Sequence, residues 1–166
     1  MGALGFGFKA MKGSFFDAEK IADDAKRFDR KVKSKFGAFT RRTMKNSIQY
    51  ADGISAPGKP PFAHRQKGFG RVKVNKKTGV STHQQLSPLR ELIFFALDES
   101  TDSVVIGPVE FGKGVADVIE QGGTTTYTDP RTGLKKSGSR RPHPFAEPAG
   151  EAEAAKFPDL IRNMVK

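Results

Sequence analysis

AEKIADDAKRFDRKVKSKFGAFTRRTMKNSIQY, residues 18–50, is the stretch whose periodicity decides the fold. Ile21, Ala25, Phe28, Val32, Phe36, Phe39, Met44 and Ile48 recur at steps of three to five, mostly three and four, which lays one apolar stripe along a helix. Asp17 stands at the capping position. Asp17, Glu19, Asp23 and Asp24 fall in the first turns and Arg41, Arg42 and Lys45 near the last, an arrangement that favours the helix dipole. At 1.5 Å per residue, about 34 residues reach roughly 50 Å, more than the width of a small domain. The helix is therefore expected either to break near Gly37 or to project.

Downstream, Gly53, Pro57, Gly58, Pro60 and Pro61 forbid continuation and predict an extended turn. The basic segment RQKGFGRVKVNKKTG follows, with Val72 and Val74 alternating with Arg71 and Lys73 ahead of a turn at Asn75–Gly79. It reads as a basic hairpin or a mobile loop. LRELIFFALDESTDSVVIGP (89–108) has two apolar runs around an acidic and hydroxyl turn, the pattern of an antiparallel hairpin in a core sheet. Val115–Glu120 predicts a short helix stopped by Gly122 and Gly123. TTTYTDPRTGLKKSGSRR predicts an exposed ribbon turning at Asp129–Gly133. The tail is helical to Phe157, with Pro158 either a break or the first turn of a second piece. No internal repeat is visible at periods of about 20 to 50 residues. The expectation is a single α+β domain over 1–166: a long N-terminal amphipathic helix packed on a small antiparallel sheet, with extended arms and a C-terminal helix. Its appendages are an N-terminal arm (1–16), a Pro/Gly-rich and basic loop (53–83) and the ribbon (124–141).

Composition bounds the chemistry. A chain of 166 residues with 36% hydrophobic content can bury a core without metals or disulfides. Its 18 Gly and 10 Pro mean that much of it is loop or arm. Cysteine is absent, which excludes disulfides, a thiol nucleophile, iron–sulfur ligation and Cys-containing zinc sites and leaves the redox compartment open. The longest apolar run, Leu92–Leu97, is far too short to cross a bilayer. The N-terminal residues lack the layout of a secretion signal. A soluble chain is expected.

His64, His83 and His143 are isolated from one another and from acids at metal-ligand spacing, so structural roles are expected. Asp98, Glu99, Asp102, Glu110, Asp117 and Glu120 cluster near the predicted hairpin and offer paired carboxylates for metal-assisted phosphodiester hydrolysis. The lysine such a site wants has only Lys113 as a nearby candidate, in a Gly-flanked loop, and solvated turn acids are the better reading. The N-terminal glycines fit neither phosphate-binding motif, and no serine sits in a nucleophile elbow. No enzymatic activity and no cofactor or metal is expected.

The charge says more. Lys plus Arg number 29 against 18 Asp plus Glu, a formal net charge of +11. On the helix, Lys31, Lys33, Lys35, Arg41, Arg42 and Lys45 form a basic band, joined by Arg71 and Lys73 in the loop; these are the candidates to face DNA. Phosphate contacts need charge alone, whereas base reading needs a docking motif that is absent, so any nucleic-acid contact is nonspecific. A solvated basic face is the competing reading.

Five short segments, in order, resemble the phage neck and tail-completion family, which includes minor tail proteins of long-tailed phages related to lambda. TRRTMKNSI (40–48) ends the long helix and SAPGKPP (55–61) is similar to that family's Pro-Gly-x-Pro-Pro turn. Leu89–Pro108 is similar to its hairpin, VADVIEQGG (115–123) to its helix with Glu two residues before Gly, and RPHPFAEPAGEA (141–152) to its Arg-Pro-Phe-x-x-Pro-Ala lead-in to the last helix. Gln121, Gly122 and Gly123 replace the family's Phe-Gly-Thr, and His143 and Pro144 interrupt Arg-Pro-Phe. The resemblance spans roughly residues 17–160.

The resemblance implies a non-catalytic virion protein at the head–tail junction, assembled in the host cytoplasm as a homo-oligomeric ring around the DNA channel. Its partners would be the head-completion or connector adaptor and the tail terminator or tail tube protein, with nonspecific DNA in the channel and no membrane. Leu4, Phe6 and Phe8 of the arm, and Tyr127, Arg131 and Arg141 of the ribbon, are expected to touch neighbours, because so small a core cannot cover them. Pro57, Gly58, Pro60, Pro61, Glu120, Gln121, Gly122, Pro144, Phe145 and Pro148 are expected at the same contacts. The alternative is a nonspecific basic nucleic-acid-binding protein.

Overall fold

The structure, a computed structural model, describes residues 18–109, 114–129 and 131–165. Helix α1 (Ala18–Ser47) is followed by hairpin β1 (Gly70–Val74) and β2 (Ser81–Gln85), a single turn of helix α2 (Pro88–Glu91), and hairpin β3 (Ile93–Asp98) and β4 (Ser103–Pro108). Then come α3 (Val115–Gln121), ribbon β5 (Gly123–Thr128) and β6 (Lys135–Arg140), and helices α4 (Glu147–Ala154) and α5 (Phe157–Val165). The fold is α+β, as the sequence predicts. The strands pair only within their hairpins, giving three separate two-stranded antiparallel sheets among the described residues. The core sheet is thus the β3–β4 hairpin alone.

Helix α1 runs unbroken through Gly37, so of the two outcomes the sequence leaves open, a break or a projection, there is no break. A Cβ on Gly37 would lie 2.5 Å from the Phe95 ring and 3.0 Å from Val104. Glycine is therefore required by the crossing: it lets β3–β4 approach the helix backbone, and the hydrogen-bonded turns continue through it. Along β3, Ile93, Phe95 and Leu97 take the helix side while Phe94 and Ala96 are exposed, the period-two alternation of a one-sided strand.

Burial along α1 is uneven. Residues 19–27 are exposed throughout, with Ile21 55% exposed, whereas Val32, Gly37, Thr40, Met44 and Ile48 are buried. The helix projects at its N-terminal end. Asp17, the expected cap, lies outside the described residues. At the other end, Met44 and Ile48 meet Ala63, Ile93, Phe145 and Ala149 in one core cluster, bordered by Tyr50, Leu89, Ile106, Ile119 and Ala146.

The two last helices return to α1. Thr43 Oγ1 donates to Glu153 Oε1 at 2.7 Å, and Lys156 Nζ donates to the same carboxylate at 2.9 Å. These bonds, the Thr43 hydroxyl first, hold buried Glu153 below the usual carboxylate range. Pro158 takes the first turn of α5, where its missing N–H costs nothing, and Phe157 packs edge-on to Phe36 with centroids 5.3 Å apart. Among the described residues, the buried Thr40 Oγ1 has no hydrogen-bond partner.

Candidate functional site

Many of the residues singled out in the sequence converge on one knot beside the core. The Pro-rich turn is tied to the last helix's lead-in by Gly58 N–H donating to Pro142 O at 3.0 Å. His143 fastens the same junction: its backbone N–H donates to Ile119 O at 2.8 Å, and its Nδ1 lies 3.0 Å from Lys59 O and 2.9 Å from Ser55 Oγ. A carbonyl only accepts, so the hydrogen sits on Nδ1, with the Ser55 hydroxyl as second acceptor. Gly122, in the left-handed region at φ 76°, ends α3 and passes within contact of Arg140 O and Pro142, which leaves no room for a side chain.

Glu120 organises the centre of the knot. Its carboxylate accepts the backbone N–H groups of Phe145 at 2.9 Å, Ala146 at 3.1 Å and Glu147 at 2.9 Å. These are donors at the start of α4 that the helix itself cannot satisfy, and Ala146 at the N-cap has no side chain to offer. A negative charge here also suits the helix dipole. Both oxygens of Glu120, an expected partner-contact residue, thus have bonds within the chain.

Around the knot, Pro57, Gly58, Gln121, Arg141 and Pro148 are exposed, and Pro60, Pro61, Gly122 and Pro144 are half-buried. Phe145 is not available to a partner. At 1% exposure it is among the largest fully buried side chains, because Glu120 pins its backbone over the core. A groove of about 690 Å³ opens beside the knot, with Pro61, Phe62, Leu89, Ile119, Arg140 and His143 among the residues that line it. Arg131 is exposed at the ribbon tip, where its N–H donates to Asp129 Oδ1. Leu4, Phe6, Phe8, Glu110 and Lys113 lie outside the described residues, as does the side chain of Tyr127.

The basic band on α1 divides. Lys33 Nζ sits between Asp29 at 2.6 Å and Asp102 at 2.5 Å, with its pKa raised by the Asp102 bond first. Arg41 Nε donates to Ile93 O at 2.6 Å and its guanidinium stacks on Phe94. Lys45 Nζ donates to Glu91 O at 2.9 Å, and burial lowers its pKa. Lys33 and Arg41 fasten the helix to the β3–β4 hairpin and Lys45 fastens it to α2, so all three are occupied within the chain. Lys31, Lys35, Arg42, Arg71 and Lys73 are exposed, Arg42 lying over the Phe39 ring.

No protein family, curated protein or solved structure matches the chain.

The candidate carboxylates of the hairpin turn are each engaged within the chain. Asp98 accepts from Ser100 N–H, Ser100 Oγ and Thr101 Oγ1, and these bonds, led by the Ser100 hydroxyl, bring its pKa down to about 2. Asp102 faces Lys33 and Glu99 faces Arg30. No group of three His, Asp or Glu able to hold a metal occurs among the described residues. Sequence reasoning missed the knot. Its signal was the Glu120 carboxylate two residues before a double glycine, ahead of a helix whose first residues carry no Ser, Thr or Asp cap.

Proposed function

We propose that this chain is a structural, non-catalytic subunit of the phage head–tail junction, a neck or tail-completion protein that joins the head connector to the tail as a ring of identical copies around the DNA channel. The observation that carries the reading is uncovered surface. The β1–β2 and β5–β6 hairpins, each without a second layer, and the projecting start of α1 contribute to it. They expose Val72, Val74, Val80, Leu134 and Ile21 at 55–64%. A subunit that covers its arms with neighbouring copies needs such a surface, and obligate interfaces consume it on the scale of roughly 2,000–5,000 Å².

The knot supports the same reading from inside. The Pro-rich turn, α3 and the RPHPF lead-in are three of the segments that carry the family resemblance, and the lead-in bonds directly to each of the other two. They are the framework from which the arms extend. The test is deletion of residues 124–141. The protein should fold, with its core cluster intact, while particles accumulate as filled heads and separate tails. Normal yield of joined particles from the deletion contradicts the role.

A further inference from the structure

The β1–β2 hairpin is a cationic arm with no counter-ions of its own. Between Gly53 and Arg90 the chain has eight Lys and Arg and no acid, so local pairing is impossible. On α1 the cations facing β3–β4 are absorbed by Asp29, Asp102, Glu91 and the Ile93 carbonyl. Among the described residues, none of the Arg71, Lys73, Lys76 and Lys77 side chains has an ion pair or hydrogen bond, and all four residues are exposed.

The hairpin's register sorts these charges. Arg71 pairs with Gln84 and Lys73 with Thr82, so one face is cationic and polar; Val72 and Val74, opposite His83 and Ser81, make the other. Lys76 and Lys77 crown the tip, where Asn75 Oδ1 accepts the Lys77 N–H and Gly79 turns the chain at φ 68°. The root is fixed. Leu86 is buried and its N–H donates to Phe69 O, Gln66 N–H donates to Leu86 O, and the Tyr50 hydroxyl accepts the Ser87 N–H. The result is an anchored ribbon with an unneutralised face and tip.

We propose that this ribbon is a duplex-DNA-binding arm that holds the phosphate backbone through Arg71, Lys73, Lys76 and Lys77. Duplex is favoured over single strands because Gly70–Gln85 contains no Phe, Tyr or Trp on which a base can stack. The major groove of B-form DNA, about 12 Å wide, admits a two-stranded ribbon, whereas that of A-form RNA is deep and narrow. Four cations without a base-reading motif make the contact independent of sequence. The contact is a property of one subunit and does not require the ring.

Fluorescence anisotropy of the full chain with a labelled mixed-sequence DNA duplex tests it. Four phosphate contacts cost on the order of a hundredfold in affinity between about 50 and 200 mM salt, and Arg71→Gln/Lys73→Gln should cut that loss about tenfold and lower the log–log salt slope by about two. Lys31→Gln/Lys35→Gln, which removes the same charge from α1, should leave the slope at the wild-type value. Val72→Thr/Val74→Thr, on the other face, should leave affinity unchanged. Circular dichroism checks that each variant is folded. A wild-type slope in Arg71→Gln/Lys73→Gln overturns the proposal, as does an equal slope change from the α1 variant. Loss of binding in the valine variant, or tighter binding to single strands, RNA duplex or polyglutamate, overturns it too. None of these results bears on ring assembly, which particle composition reads separately.

Discussion

Hairpins β3–β4 and β1–β2 share a topology and differ in what alternates along them. In β3, Ile93, Phe95 and Leu97 face a helix that supplies a glycine at the crossing, and the turn acids Asp98 and Asp102 find a hydroxyl cluster and Lys33. In β1, valine alternates with arginine and lysine, both faces stay exposed, and the turn holds two lysines. A two-stranded hairpin is marginal alone, so the first is stable because α1 backs it and the second because its root is bonded to Tyr50 and Leu86. This chain concentrates its buried contacts in the residues 32–48 end of α1 and the knot, while its β1–β2 arm stays exposed on both faces.

The largest effect is expected from Phe145→Ala, which empties the centre of the core and should cost about 3–5 kcal/mol in urea denaturation. Gly37→Ala comes next. Helix propensity alone favours alanine by about 1 kcal/mol, yet the new methyl meets the Phe95 ring at 2.5 Å, and overpacking of this kind costs about 1–3 kcal/mol, so a lower Tm is expected. A raised Tm would mean that the hairpin does not press on the helix. Glu120→Gln keeps the shape but removes the charge over the α4 N-terminus, with an expected loss of about 1–2 kcal/mol. Lys76→Ala/Lys77→Ala, at the arm's tip, should change stability by less than about 0.5 kcal/mol.

Acid titration separates the two turns. The Asp98 pKa falls from 3.8 to about 2 on folding, so the stability its carboxylate adds is fully present above about pH 4 and is lost as pH falls through about 2. The stability difference between wild type and Asp98→Ala should therefore be flat from neutral pH to about 4 and narrow below it. The turn of β1–β2 carries no acid and contributes nothing to this difference.

Local patterns were legible wherever a period ran long enough. The α1 helix, the β3–β4 hairpin, the Asn75–Gly79 and Asp129–Gly133 turns and the Gly122 stop all appear where the sequence places them. What was hidden depends on contacts distant in sequence. Gly37 reads as a helix breaker because the ring that requires it is 58 residues away, at Phe95. Arg41 and Lys45 read as a solvent band because their acceptors, the Ile93 and Glu91 carbonyls, belong to a strand and a helical turn with no charge signature of their own. Phe145 reads as a contact residue in a Pro-flanked motif; only the Glu120 bonds to its backbone and those of the next two residues explain why it turns inward.

The central claim is that this chain is made to be built into a particle, and quantitative mass spectrometry of virus particles purified from cells that make it tests this most directly. The account predicts the chain in every purified preparation, several copies per particle in a fixed ratio to the tail proteins. Particles that join heads to tails without it would contradict the account.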